Sequence, residues 1–234
     1  MKALFTAIRN RDTEKITELI TKKPELVNCI AKQPPKKDDG QSPLQIAFKS
    51  KNFWAVKYFL ENGANVNFID ATSINEWKMP VLHDAIMATV YMARYETPVN
   101  PWNENEHSVY EIKGTKEHFD KTFSLLQLMV DKGADVNAAD SYGNTPLMRL
   151  CMDAQNRWTN QDRPLAKETV EDLTQIFDVL IAKGADINYS SEKRKPITEM
   201  YKKVLEQLKI NGTDLPDQTE SEQPNQKPKW KFWK

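Results

Sequence analysis

VKYFLENGANVN at 56–67, LLQLMVDKGADVN at 125–137 and FDVLIAKGADIN at 177–188 are three spellings of one phrase. Each is an amphipathic run that stops at a glycine and closes as GANVN, GADVN or GADIN. In the first spelling Val56, Phe59 and Leu60 stand at i, i+3 and i+4, one apolar stripe of a helix. Gly63, Gly133 and Gly184 follow the last apolar residue by a few positions. A chain leaving a helix often turns left-handed there, and glycine does so without strain. The same helix exit written three times predicts a repeat architecture.

A second element precedes each phrase: SPLQIAF at 42–48, VLHDAI at 81–86 and TPLMRLC at 145–151. Pro43 and Pro146 fall at a helix start, where the missing N–H costs nothing. A degenerate copy, LFTAI at 4–8 with KPELVN at 23–28, comes first, and a truncated one, KPITEM at 195–200, comes last. Each two-helix unit has an apolar face that only a neighbour can cover. The predicted fold is therefore all-α, a solenoid of stacked helix-turn-helix units.

These residues resemble the ankyrin repeat, whose pattern runs from a TPLHxA inner helix through an outer helix ending in LL to a GAxxN loop. The resemblance covers roughly residues 2–210. It implies finger loops between units of about 1–39, 40–75, 76–138 and 139–189, a capping unit at 190–210, and a tail at 211–234. The tail holds only Leu215 and its final aromatics as large apolar side chains, a composition that predicts disorder. The resemblance further implies a non-enzymatic scaffold that binds protein along its finger loops and the exposed faces of its inner helices. Carried over by position, that surface includes Ile46, Lys49, Asp84 and Met87, then Tyr142, Asn144, Arg149 and Asp153. Inhibitor, toxin neutraliser and adaptor all fit such a scaffold.

The glycines also measure where the chain departs from the pattern. Leu44 and Gly63 are 19 residues apart, whereas Leu82 and Gly133 are 51 apart and Leu147 and Gly184 are 37 apart. Some 32 and 18 residues are thus added between inner and outer helices, and a further 5 lengthen the loop DATSINEWKM. Insertions in repeat proteins map to loops and often to a binding face. The first insert continues the inner helix with Ile86, Val90 and Ala93 on one face, then is broken by Pro98 and Pro101. HSVYEIKG predicts a short strand ending at Gly114, and Asp162 with Pro164 just inside predicts a helix start in the second insert.

Five of the six tryptophans lie outside the standard frame: Trp77 in the long loop, Trp102 and Trp158 in the inserts, Trp230 and Trp233 in the tail. Tryptophan anchors interfaces because it offers much apolar area with few torsions to freeze. Each insert tryptophan is a candidate anchor for a partner or a pin holding its loop to the solenoid. The tail end KPKWKFWK, with Trp230, Phe232 and Trp233 among four lysines, suits weak contact with an anionic membrane surface or stacking on single-stranded nucleic acid.

Charge and chemistry narrow the field. The 33 Lys+Arg balance 33 Asp+Glu, which argues against a basic face over the whole molecule for sequence-independent nucleic-acid binding, and no sequence-specific nucleic acid is expected as a partner. Cys29 and Cys151 are too far apart for a zinc spacing, and two free thiols imply a reducing compartment. With no signal-peptide pattern and no long apolar run, the expected location is the cytoplasm and the expected state a monomer. No phosphate loop, GxSxG elbow or HExxH pair occurs, so no catalytic residue, cofactor or metal is expected. His83 occupies the histidine position of TPLHxA, used in that family to tie adjacent loops, while Cys151 replaces a small inner-helix residue. His107 and His118, with Glu104, Glu106 and Glu117, leave a cryptic enzyme or metal protein as the alternative.

Overall fold

The computed structural model describes residues 1–33, 35–72, 76–100 and 109–210. Its helices come in pairs, α1 (Lys2–Asn10) with α2 (Thr13–Lys22), and α3 (Pro43–Lys49) with α4 (Phe53–Glu61). α5 (Val81–Met92) pairs with α6 (Lys116–Asp131), and α7 (Pro146–Arg157) with α8 (Lys167–Ala182). Two short helices, α9 (Ile197–Met200) and α10 (Lys202–Gln207), pack against α7. The first members of the pairs form an inner row, α1 on α3, α3 on α5 and α5 on α7. The second members form an outer row, α2 on α4, α4 on α6 and α6 on α8. The apolar stripe Val56, Phe59 and Leu60 is fully buried between neighbours, as the periodicity requires.

The helix starts are chemically explicit. Ser42 accepts a hydrogen bond from the Gln45 N–H while the Gln45 side chain accepts from the Ser42 N–H, a reciprocal cap. Thr145 caps α7 through the Met148 N–H, and Pro43 and Pro146 follow their caps. At the helix exits Gly63, Gly133 and Gly184 have φ of 84°, 87° and 87°. A Cβ at any of the three would meet nothing within 4 Å, so the demand for glycine is conformational. Gly40 is different, since a Cβ there would run into the backbone of Ala71 and Thr72.

The repeated close also has a physical meaning. In GANVN, GADVN and GADIN the side chains of Asn65, Asp135 and Asp186 accept from the N–H two residues on, which shapes the turn. The final asparagine then reaches the next unit. Asn67 donates to the Gly133 carbonyl at 2.9 Å and accepts from the Asp135 N–H at 2.8 Å. Asn137 does the same to Gly184 and Asp186, and Asn28, from the degenerate KPELVN, does so to Gly63 and Asn65. A ladder of asparagine bridges thus sets the spacing of the units.

Both inserts begin as extra helix. α5 and α7 run twelve residues against seven for α3, and Ile86, Val90 and Ala93 are buried as their spacing predicts. Beyond α5 the chain forms an antiparallel hairpin of β1 (Tyr95–Pro98) and β2 (Tyr110–Lys113), with Tyr95 opposite Lys113 and Pro98 opposite Tyr110. β2 matches the strand expected in HSVYEIKG, but Pro98 does not break the chain there. It ends β1, a position that needs no donor from proline. The helix start expected at Asp162 is also corrected. Outer helix α8 begins at Lys167, because the Arg163 carbonyl is taken by the indole N–H of Trp158 at 3.0 Å.

The two inserts fasten on each other and on α8. Asn160 donates to the Tyr110 hydroxyl at 3.1 Å, and the Arg163 guanidinium lies 4.3 Å from the Tyr110 ring centre and 3.5 Å from Glu96. Arg94, at the root of the hairpin, grips α8. Its backbone N–H and Nε donate to Asp172 Oδ2 and its Nη2 to Asp172 Oδ1 at 2.7 Å and Glu171 at 3.0 Å. The Thr169 hydroxyl returns a bond to the Arg94 carbonyl at 2.5 Å.

Candidate protein-binding surface

Finger loops stand on the inner-row side and are laced to one another by backbone bonds, Ala71 N–H to Gly40 carbonyl and Ser141 N–H to Lys78 carbonyl. Between the first two fingers and the inner row lies a hollow of about 510 Å³. Lys36 and Lys37 reach it from the first finger, Asp70, Trp77 and Met79 from the second, Lys49 from α3 and Met87 from α5. Trp77 is 36% exposed yet held in place, since its indole N–H donates to Asp140 at 3.2 Å and the Arg149 guanidinium sits 5.8 Å from its ring. An aromatic side chain fixed at the edge of a hollow is an anchor with little torsional freedom left to lose.

Under the hollow runs a buried polar network. The Gln45 amide donates to Asp70 at 2.6 Å, to the Met79 carbonyl at 3.3 Å and to Asp84 at 3.2 Å. The Lys49 ammonium lies 3.6 Å from Asp84. Burial pushes the Asp84 carboxyl up to about 7; Lys49 opposes this and the nearby Asp70 adds to it. Burial also raises Asp70.

The third finger, DSYGNTP, is built around Asp140. Burial disfavours its charge, but the donors supplied by Asn144, Trp77 and the Tyr142 N–H outweigh that and hold its carboxyl below the usual range. Arg149 lies 3.6 Å from both Asp140 and Asp153, and burial pushes Asp153 up to about 6 against that pull. Farther along the inner row Tyr91 is exposed, with the Lys51 ammonium 3.5 Å and the Arg157 guanidinium 4.7 Å from its ring centre.

The sequence-derived surface residues separate into two groups. Lys49, Trp77 and Tyr142 are exposed, and Met87 and Asp153 are half-buried on the same side. Ile46, Asp84, Asn144, Arg149 and Trp158 are corrected to the interior. Ile46 sits on α3 between α1 and α5, where two neighbouring helices leave little free face. Asp84, Asn144 and Arg149 are consumed by the finger networks, and Asn144 also accepts from Arg194 at 2.6 Å. Trp158 is the pin of the second insert. Trp102 and the tail residues Trp230, Phe232 and Trp233 lie outside the described residues. Missed from the sequence were Lys36, Lys37, Met79, Lys51 and Tyr91. The doublet KK in PPKKDDGQSP was the one available signal, because it enters the first finger directly.

The chemical groups weighed earlier have structural employment. His83 Nε2 is 3.0 Å from the Ala138 carbonyl, which only accepts, so Nε2 carries the proton. Burial lowers its pKa to about 4, and the neutral ring ties one unit to the loop after the next outer helix. Cys151 is buried and its thiol is pushed up to about 12. Among the described residues no three His, Cys, Asp or Glu side chains gather as metal ligands, and no helix is long and apolar enough to cross a membrane. His107 lies outside those residues.

The family model described as ankyrin repeats (3 copies) matches residues 1–70. No curated protein matches the sequence. Past the matched stretch the same paired helices, glycine exits and asparagine bridges continue to Asn188. The match over residues 1–70 indicates a protein–protein interaction module, and the later units repeat the same architecture.

Proposed function

We propose that this chain acts without catalysis, binding a protein partner in the hollow between its first two fingers and helices α3 and α5. The carrying observation is Trp77, an exposed aromatic held rigid beside Met79, Met87 and three lysines at one concavity. Interfaces draw most of their affinity from a few such anchors in pockets, with polar groups around them setting orientation. Occupying a partner's surface is the means by which an inhibitor, a toxin neutraliser or an adaptor works, and the rigid two-row stack suits all three. The shifted groups support a non-enzymatic reading, since Asp70, Asp84, Asp140 and His83 are each committed to fold-building hydrogen bonds. Two free thiols, Cys29 and Cys151, fit a reducing compartment such as the cytoplasm.

The test is position-specific photocrosslinking in native lysate, with a benzophenone amino acid replacing Trp77 or Met87 on the finger side, or Trp54 on the exposed face of α4. Adducts from the first two positions and none from the third are expected. Adducts from position 54 alone would overturn the proposal.

A further inference from the structure

We infer that the segment received by this hollow is an acidic, extended peptide carrying one large apolar side chain. This rests on the protein-binding proposal above and specifies the partner's chemistry.

A net charge of zero hides an uneven distribution. The four outer helices α2, α4, α6 and α8 carry ten carboxylates and six Lys or Arg. The inner helices α1, α3, α5 and α7 reverse the balance, with Lys2, Arg9, Lys49, Arg149 and Arg157 against Asp84 and Asp153. The first finger adds Lys36 and Lys37, followed by Asp38, which pairs with Arg9, and a half-buried Asp39. Those two lysines make no ion pair among the described residues, and both are exposed at the hollow. Lys51 and Arg157 meet aromatic rings instead of carboxylates. Of the acids on this side, Asp70, Asp84 and Asp153 are withdrawn beneath the surface, where burial weakens their charge, while Asp39 is half-buried and Asp140 is occupied by its donors. A field of this sign steers and retains carboxylates.

The apolar part of the site is equally specific. Trp77 offers an aromatic face and the half-buried Met87 an adaptable thioether chain beside the lysines, over the buried Met79, a seat for a single bulky side chain. A continuous polyphosphate offers nothing to that apolar seat. A peptide that alternates carboxylates with an apolar residue satisfies both halves of the site.

The test selects from a random dodecapeptide display library on the purified full-length chain, followed by affinity measurement of the enriched peptides at rising salt. Peptides rich in Asp and Glu around one Trp, Phe, Leu or Met are expected. Affinity should fall about tenfold in Lys36→Glu/Lys37→Glu and about tenfold in Trp77→Ala, and should weaken as salt increases. Both variants change exposed side chains, and an unchanged melting curve checks that they fold. Enrichment of neutral or basic peptides that still depends on Trp77 would overturn the acidic specificity and leave the binding surface standing. Enrichment indifferent to Trp77, or none at all, would overturn both. Tighter binding of oligo-dT than of the best acidic peptide would overturn the inference in favour of nucleic acid.

Discussion

Asp172 and Asp84 are both buried aspartates, and the chain treats them in opposite ways. Asp172 is fully enclosed and receives three hydrogen bonds from Arg94 alone, with Lys116 a further 3.9 Å away. Asp84 has the Gln45 amide and a half-exposed lysine at 3.6 Å, with a second aspartate beside it. The first arrangement is closed on itself and holds the inserts to α8. The second is short of positive charge beneath the hollow on the finger side. A buried carboxylate matched donor for donor holds its elements together at any ordinary pH, whereas one left under-compensated makes stability depend on pH.

That contrast can be broken most easily at its closed end. Arg94→Ala leaves Asp172 uncompensated, and a loss of about 3–5 kcal/mol in chemical denaturation is expected; a loss under about 1 kcal/mol would mean the clamp is ornamental. Trp158→Ala empties the insert junction and should cost about 3 kcal/mol by the same measurement.

The open end is probed by pH. Asp84 titrates near 7 when folded against an ordinary 3.8, so between about pH 4 and 7 the folded chain keeps a proton that the unfolded chain has lost. Its contribution to stability therefore falls as pH rises through that window. His83 runs the other way, with a folded value about 4 against 6.5. There the unfolded chain holds the extra proton, and stability rises with pH between about 4 and 6.5. The neighbours mask each other in the native chain. Asp84→Asn should gain about 1–2 kcal/mol near pH 8 and leave a curve that rises through the acid range. His83→Gln should leave one that falls. Parallel curves for the native chain and Asp84→Asn would show Asp84 to be as well matched as Asp172, and the comparison would collapse.

Smallest of all, Lys36→Glu/Lys37→Glu should change stability by no more than about 0.5 kcal/mol, since neither side chain has an ionic partner among the described residues to lose. A larger loss would assign those lysines to the fold.

The repeat frame was legible because its signals are local. Glycine at a left-handed exit, proline after a cap and a helical stripe each need only a few neighbouring residues. The strand at 110–113 was legible for the same reason, but its partner was not, because Pro98 and Pro101 read as breakers and only pairing with Tyr110 gives Pro98 its place. Asp162 and Pro164 spell a helix start that the demands of Trp158 and the hairpin override. The candidate surface was half legible. Trp77 and Lys49 were found, but Ile46 and Arg149 were placed outside because burial depends on neighbours supplied by other units. The hollow itself joins residues 36, 49, 77 and 87, four separate segments that no local pattern links.

The asparagine ladder has one more consequence. Its rungs join loop to loop at the ends of the outer helices, and none of them passes through the stretch between an inner helix and its outer partner. Pitch and inserted length are therefore independent variables. In the terms of protein engineering the chain is a chassis with two mounting points. A loop exchanged beyond Arg94 or after Trp158 alters the junction where the two inserts meet, but not the pitch that the asparagine rungs set.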